Sequence, residues 1–153
     1  MKYVSTLLAV RDLARSRQFY QDLLGLEVTA DFGANIVLSG GIALQTAETW
    51  QDFIRTDSIT FRHNSGELYF EAQDMGAFLR RLADFDIEYV HPLKEHRWGQ
   101  RVIRFYDPDY HIIEVGEDMA MVARRFQGSG LTDEQIAARM DVPLGYVQEL
   151  LST

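Results

Sequence analysis

The order of elements along the chain predicts an α+β protein made of paired βαβββ modules with a helical C-terminal extension. The pattern of strand, helix and three strands occurs twice at nearly constant spacing, and a stretch of helical periodicity follows without belonging to either copy. In the first copy Tyr3 to Val10 is apolar and rich in strand formers. Asp12 then opens a helix carrying Leu13, Phe19, Tyr20, Leu23 and Leu24, and Gly25 stands where a C-terminal cap belongs. Leu26 to Val28 resumes an extended pattern. Ile36 to Leu38 and Ile42 to Gln45 flank Ser39-Gly40-Gly41, a cluster suited to a hairpin turn.

The second copy repeats this order. Glu67 to Ala72 reads as a strand, Asp74 to Ala83 as a helix with Phe78, Leu79 and Leu82 on one side, and Ile87 to Val90 as a strand. Arg101 to Tyr106 and His111 to Val115 close it across Asp107-Pro108-Asp109-Tyr110, a turn whose chemistry accounts for both aspartates. Ser5 precedes Asp12 by seven residues and Glu67 precedes Asp74 by seven, which places Ser5 and Glu67 at equivalent points of two strands. The modules are expected over 1–47 and 66–117 of one domain, 1–117. Between them, Glu48 to Arg55 reads as a short helix with Trp50 and Phe53, and Thr56 to Ser65 as a polar connector with an embedded strand. Residues 118–153 form the extension: a helix from Met119 to Phe126, a break at Gln127 to Gly130, a capping box at Thr132-Asp133-Glu134-Gln135, and a last helix begun by Pro143.

Composition narrows the function. With 46% hydrophobic and 25% charged residues over 153, the chain can bury a core. Its 23 acidic residues against 15 basic ones leave a net charge of −8, which repels polyanions. The two last helices resemble a helix-turn-helix, yet Asp133, Glu134, Asp141 and Glu149 face only Arg139 in charge, so no nucleic-acid partner is expected. The absence of cysteine excludes a disulfide framework, a thiolate metal cage and a cysteine nucleophile. The first residues are too short an apolar run, and too polar, for a signal core or a membrane span, so the expectation is a cytoplasmic protein with no membrane partner.

The pattern D-L-x-x-S-x-x-F-Y-x-x-x-L-G-L from Asp12 to Leu26, together with D-P-D-x-H-x-I-E from Asp107 to Glu114, resembles the vicinal oxygen chelate superfamily. That group includes glyoxalase I, extradiol dioxygenases, and fosfomycin and bleomycin resistance proteins. The resemblance covers about residues 2–117. It implies that each module curls into a concave sheet and that the paired sheets form a central cleft. In metal-using members that cleft holds one divalent ion with two ligands from each module. Carried over, the ligand positions fall on Ser5, on Gln45 (or Ala43 if the hairpin register differs), on Glu67 and on Glu114. Histidine is usual at the positions of Ser5 and Glu67, and only Glu114 keeps the family's residue. A hydroxyl, an amide and two carboxylates make a poor site for zinc or iron, so the metal site is read as degenerate and no cofactor is expected. A hard cation such as Mg²⁺ or Mn²⁺ is the alternative.

Two carboxylates brought together in a semi-buried site split their proton affinities, so Glu67 and Glu114 are the candidate acid/base pair. Alternation puts Tyr69 on the face of Glu67. Ser5 and Gln45 are candidate polar contacts to a ligand, Trp50 and Trp98 candidate aromatic walls, and His96 a candidate proton carrier on a loop overhanging the cleft. Arg101 or Arg104 is a candidate for holding a substrate carboxylate or for intervening between the two glutamates. The function expected is that of a glyoxalase/bleomycin-resistance-like protein acting by carboxylate acid/base chemistry on a small organic molecule. The alternative is a non-catalytic protein that binds or sequesters such a molecule, and a regulatory adaptor has the least support. A homodimer is expected from fold analogy.

Overall fold

A computed structural model describes residues 1–152. Its elements in chain order are β1 (Thr6–Val10), α1 (Leu13–Asp22), β2 (Val28–Asp31), β3 (Asn35–Leu38), β4 (Ile42–Thr46), α2 (Ala47–Ile54), β5 (Glu67–Ala72), α3 (Met75–Leu82), β6 (Tyr89–Glu95), β7 (Arg101–Tyr106), β8 (Ile112–Glu117), α4 (Met119–Gly128), α5 (Asp133–Met140) and α6 (Leu144–Ser152). Among the described residues the strands form two four-stranded sheets, ordered β1-β4-β3-β2 and β5-β8-β7-β6, so the α+β class and the repeated module hold. The chain divides into two compact units: Met1–Gly66 with Tyr106–His111, and Glu67–Phe105 with the chain from Ile112 onward.

In the first unit β1 and β4 run parallel, with Thr6 opposite Ile42 and Ala9 opposite Gln45, and β2, β3 and β4 run antiparallel. The side chain of Asp12 caps α1 by accepting from Arg15 N–H, as an N-terminal aspartate does. Ser16, Phe19, Tyr20 and Leu23 are buried at the three- and four-residue spacing that gives a helix one inward side, alongside Val10, Ile36, Leu38 and Leu44. Gly25 ends the helix with φ +72 and donates to Gln21 O, as the sequence predicts.

Turn chemistry does not fully account for Asp107 and Asp109. Both are buried in this unit, where the Tyr20 hydroxyl donates to Asp107 Oδ2 at 2.8 Å and Ser16 Oγ donates to Asp109 Oδ2 at 3.2 Å. Arg11 N–H donates to Asp109 Oδ1 and His111 Nδ1 to Asp107 Oδ2, so the turn is a polar peg fastened to α1. Burial and the neighbouring Asp107 carboxylate hold the Tyr20 phenol well above its ordinary value, which keeps it a donor. The connector contains no strand. Arg55, Arg62 and Asn64 all take left-handed backbone angles, which interrupt any ladder.

In the second unit β5 and β8 are parallel, with Glu67 opposite Ile112 and Tyr69 opposite Glu114. Asp74 caps α3 by accepting from Ala77 N–H, and Phe78 stacks on Phe105 at 6.2 Å. The strand expected at Ile87 starts later and runs through Pro92 to Glu95. Strand β6 is the sheet's edge, where a residue lacking an N–H is tolerated. The extension adds a separate apolar cluster of Val122, Ala123, Phe126, Ile136, Ala137, Met140 and Val147, and the expected capping box at Thr132 and Gln135 is present.

Two consequences are measurable by chemical denaturation. Tyr20→Phe leaves a buried carboxylate short of a donor and is expected to cost about 1–3 kcal/mol. Ile136→Ala, which empties the centre of the C-terminal cluster, is expected to cost about 2–5 kcal/mol.

Candidate functional site

Strand pairing decides which side chains share a face of the second sheet. Glu67, Tyr69 and Glu71 alternate on β5 with Leu68, Phe70 and Ala72, and the register puts Ile112, Glu114 and Gly116 of β8 on the same side as the first set. Arg104 on β7 reaches across that face. Its Nε donates to Glu67 Oε2 at 2.8 Å, its Nη2 to Glu67 Oε1 at 3.4 Å and to Glu114 Oε2, and its Nη1 lies 3.2 Å from His91 Nε2. His91 on β6 sits between two register shifts in its pairing with β7, the kind of irregularity that re-aims a side chain. Arg101 is on the opposite side of β7. Its Nε lies 3.9 Å from Glu95 and its N–H donates to Glu117 Oε2, so Arg104 is the arginine that intervenes between the glutamates.

The two carboxyls share the Arg104 guanidinium, yet their environments differ. The Arg104 hydrogen bond holds Glu67 below its ordinary value, outweighing partial burial. Burial pushes Glu114 up, and its hydrogen bond with Glu67 adds to the shift. Arg104 is raised in turn, above all by its hydrogen bond to Glu67.

A second polar chain crosses the same face. Trp98 Nε1 donates to Gln100 Oε1 at 3.2 Å, Gln100 Nε2 donates to the Tyr69 hydroxyl at 3.0 Å, and Tyr69 donates to Glu71 at 3.0 Å. Gly116 makes room for this. A Cβ there would lie 2.9 Å from both Gln100 Nε2 and the Tyr69 hydroxyl. The His96 ring stacks on Trp98 at 4.2 Å, and partial burial, with the positive charges of Lys94 and Arg104, lowers its proton affinity. Tyr69 remains 48% exposed, which leaves an aromatic surface beside the charged cluster.

The structure therefore brings together Glu67, Glu114, Tyr69, Arg104, His96 and Trp98. Gln100 and His91 belong with them and were missed, because nothing in the sequence says which loop amide or edge-strand histidine turns inward. Ser5, Gln45 and Trp50 belong to the first unit. Ser5 is exposed just before β1, Trp50 is half-buried on α2, and the Gln45 amide is occupied by Asn35 and Thr49. Register also corrects the placement of Gln45. Glu114 lies two residues beyond the partner of Glu67, and the same step from Gly41, the neighbour of Ser5 in the β1–β4 register, reaches Ala43. The open alternative at the hairpin resolves to a buried methyl group.

The residues are a poor match for a divalent ion. The positions carried over from metal-using relatives offer a hydroxyl, a methyl and two carboxylates that a guanidinium already holds. Among the described residues no cluster of three or more His, Asp or Glu side chains is placed to hold a metal ion.

A family described as the glyoxalase-like domain matches residues 3–120. The chain belongs to that family. Among solved structures, this glyoxalase-like chain is 42% identical to a protein of unknown function from Agrobacterium tumefaciens str. C58, over 77% of this chain and 94% of that one, with a TM-score of 0.70. It also resembles a glyoxalase-related enzyme from Fulvimarina pelagi, at 20% identity over 78% and 89% of the two chains and a TM-score of 0.67. A glyoxalase/bleomycin resistance protein/dioxygenase from Nocardioides is 21% identical over 76% and 83%, with a TM-score of 0.60. These last two likenesses concern the fold. No curated protein matches the chain. Among the described residues no helix is long and apolar enough to cross a membrane.

The split between the carboxyls has a pH signature of opposite signs. Glu114, raised in the folded state, favours folding below the ordinary value of 4.5 and loses that contribution as pH climbs through its folded value. Glu67, lowered, favours folding above 4.5 and loses its contribution as pH falls through its folded value. Glu114→Gln should therefore flatten the decline in stability on the alkaline side of 4.5, and Glu67→Gln should flatten the decline on its acid side. Urea midpoints across a pH series read this directly, and two unchanged profiles would refute the split.

Proposed function

We propose that this glyoxalase-like protein binds a small amphipathic organic molecule on the face of its second sheet that carries Tyr69 and Arg104. The observation that carries the reading is the engagement of both candidate catalytic carboxylates by Arg104 beside an exposed aromatic surface. A base that already accepts from a guanidinium is a weak acceptor for a proton on carbon, whereas a fixed polar anchor next to aromatic rings suits recognition. Three carboxylates, those of Glu67, Glu71 and Glu114, share the face with one guanidinium. That balance favours a ligand with a flat ring and a cationic or hydrogen-bond-donating group over an anionic one. His96, stacked on Trp98 and with its proton affinity lowered by partial burial, offers a ring nitrogen at the ligand's edge.

Carboxylate acid/base chemistry is the second reading, and the opposite shifts of Glu67 and Glu114 favour it. It requires Glu114 to exchange a proton with the ligand while Arg104 keeps Glu67 ionised.

Titrating a cationic planar amine and its carboxylate analogue against Trp98 fluorescence, in a Trp50→Phe background, separates these ideas. The amine should bind at least roughly tenfold tighter than the carboxylate, and Tyr69→Ala should weaken it by a similar factor. Equal affinities, unmoved by Tyr69→Ala, would overturn the binding site. Recovery of chemically altered amine by mass spectrometry, lost in Glu114→Gln, would replace sequestration with catalysis.

A further inference from the structure

The surroundings of Arg104 have the composition of a cation site. Two carboxylates, Glu67 and Glu114, and one imidazole, His91, converge on it from three different strands. The histidine is oriented as a ligand would be. His91 Nδ1 lies 2.8 Å from Pro92 O, a group that can only accept, and Nε2 faces Arg104 Nη1, a group that can only donate. Those partners fix the tautomer with its proton on Nδ1 and a lone pair on Nε2 aimed at the positive charge. A backbone carbonyl behind the imidazole and a cation in front of it is the arrangement that orients metal-binding histidines. Here the spacing fits a planar fork. The ligands meet three different nitrogens of the guanidinium, which takes up four of its five N–H groups.

We propose that Arg104 is a built-in cation: its guanidinium stands between Glu67 and Glu114, the two positions this module would contribute to a divalent ion in metal-using relatives, with His91 as a third partner. Covalent attachment makes the charge permanent and independent of metal supply. The two carboxylates stay together on one sheet face because that charge lies between them, and a divalent ion entering the site must first displace it. The inference rests on the ligand geometry around Arg104 and is independent of which small molecule the neighbouring aromatic surface takes.

The test uses the full chain with Mn²⁺ and methylguanidinium as probes. In the unmodified protein neither Mn²⁺ nor EDTA should move the melting temperature. Arg104→Ala should melt lower and regain stability on saturable binding of methylguanidinium, at least roughly tenfold tighter than in the unmodified protein. Adding Glu114→Gln to Arg104→Ala should abolish that rescue, and the uncharged methylurea should give none. One equivalent of Mn²⁺ bound by the unmodified protein and lost on Glu114→Gln would overturn the proposal. So would an Arg104→Ala protein as stable as the original and indifferent to methylguanidinium. Should Arg104→Ala fail to fold, Arg104→Lys keeps a point charge without the fork. The imidazole ¹⁵N shifts of His91 should then move from a single tautomer towards a mixture, and unchanged shifts would overturn the assignment.

Discussion

Two glutamates on one face of adjacent parallel strands repel each other unless a positive charge lies between them, and the open side of the second sheet is arranged around meeting that need. Arg104 meets it from β7, and each neighbouring feature follows. Glu67 stays ionised because it receives two of the guanidinium's N–H groups, and the more buried Glu114 is left with the higher proton affinity. His91 turns its Nε2 towards Arg104 Nη1, a group that can only donate. Neither carboxylate is therefore free: both are held by the same guanidinium.

The aromatic side of the face depends on a different constraint. The loop carrying His96, Trp98 and Gln100 is backed by the C-terminal helices, most of which lie beyond the glyoxalase-like match. Gly99, with φ +93, is the pivot. Any Cβ there would overlap the ring of Phe126, and its carbonyl accepts from Arg125. Arg139 donates to Arg97 O, and both Arg125 and Arg139 pair with Glu95. The extension thus orients the Trp98 stack from behind, which gives α4 and α5, with no evident chemistry of their own, a part in shaping the site.

Much of the fold was legible because its signals are local. Asp12 and Asp74 announce helix starts through a side chain that reaches an N–H three residues on, Gly25 announces a stop through a positive φ, and Thr132 with Gln135 announces another start. The seven-residue offsets from Ser5 and Glu67 survive because both helices begin at those caps. The connector misled because a left-handed angle at Arg55 or Arg62 leaves no mark in residue type. Asp107 and Asp109 misled in the opposite way, since a turn explains their presence and says nothing of Tyr20 and Ser16 waiting for them.

By itself the sequence determined the repeated module, which follows from spacing along one chain, and the family, which follows from two local motifs; it also named Glu67 and Glu114 as candidates to be read together. Only the tertiary structure decided between Arg101 and Arg104, between Gln45 and Ala43, and whether any histidine joined the cluster. Those choices turn on strand register and on two irregularities in an edge strand, where a shift of one residue exchanges the faces of a sheet. Register is set by the sum of many cross-strand contacts, and no single residue carries it.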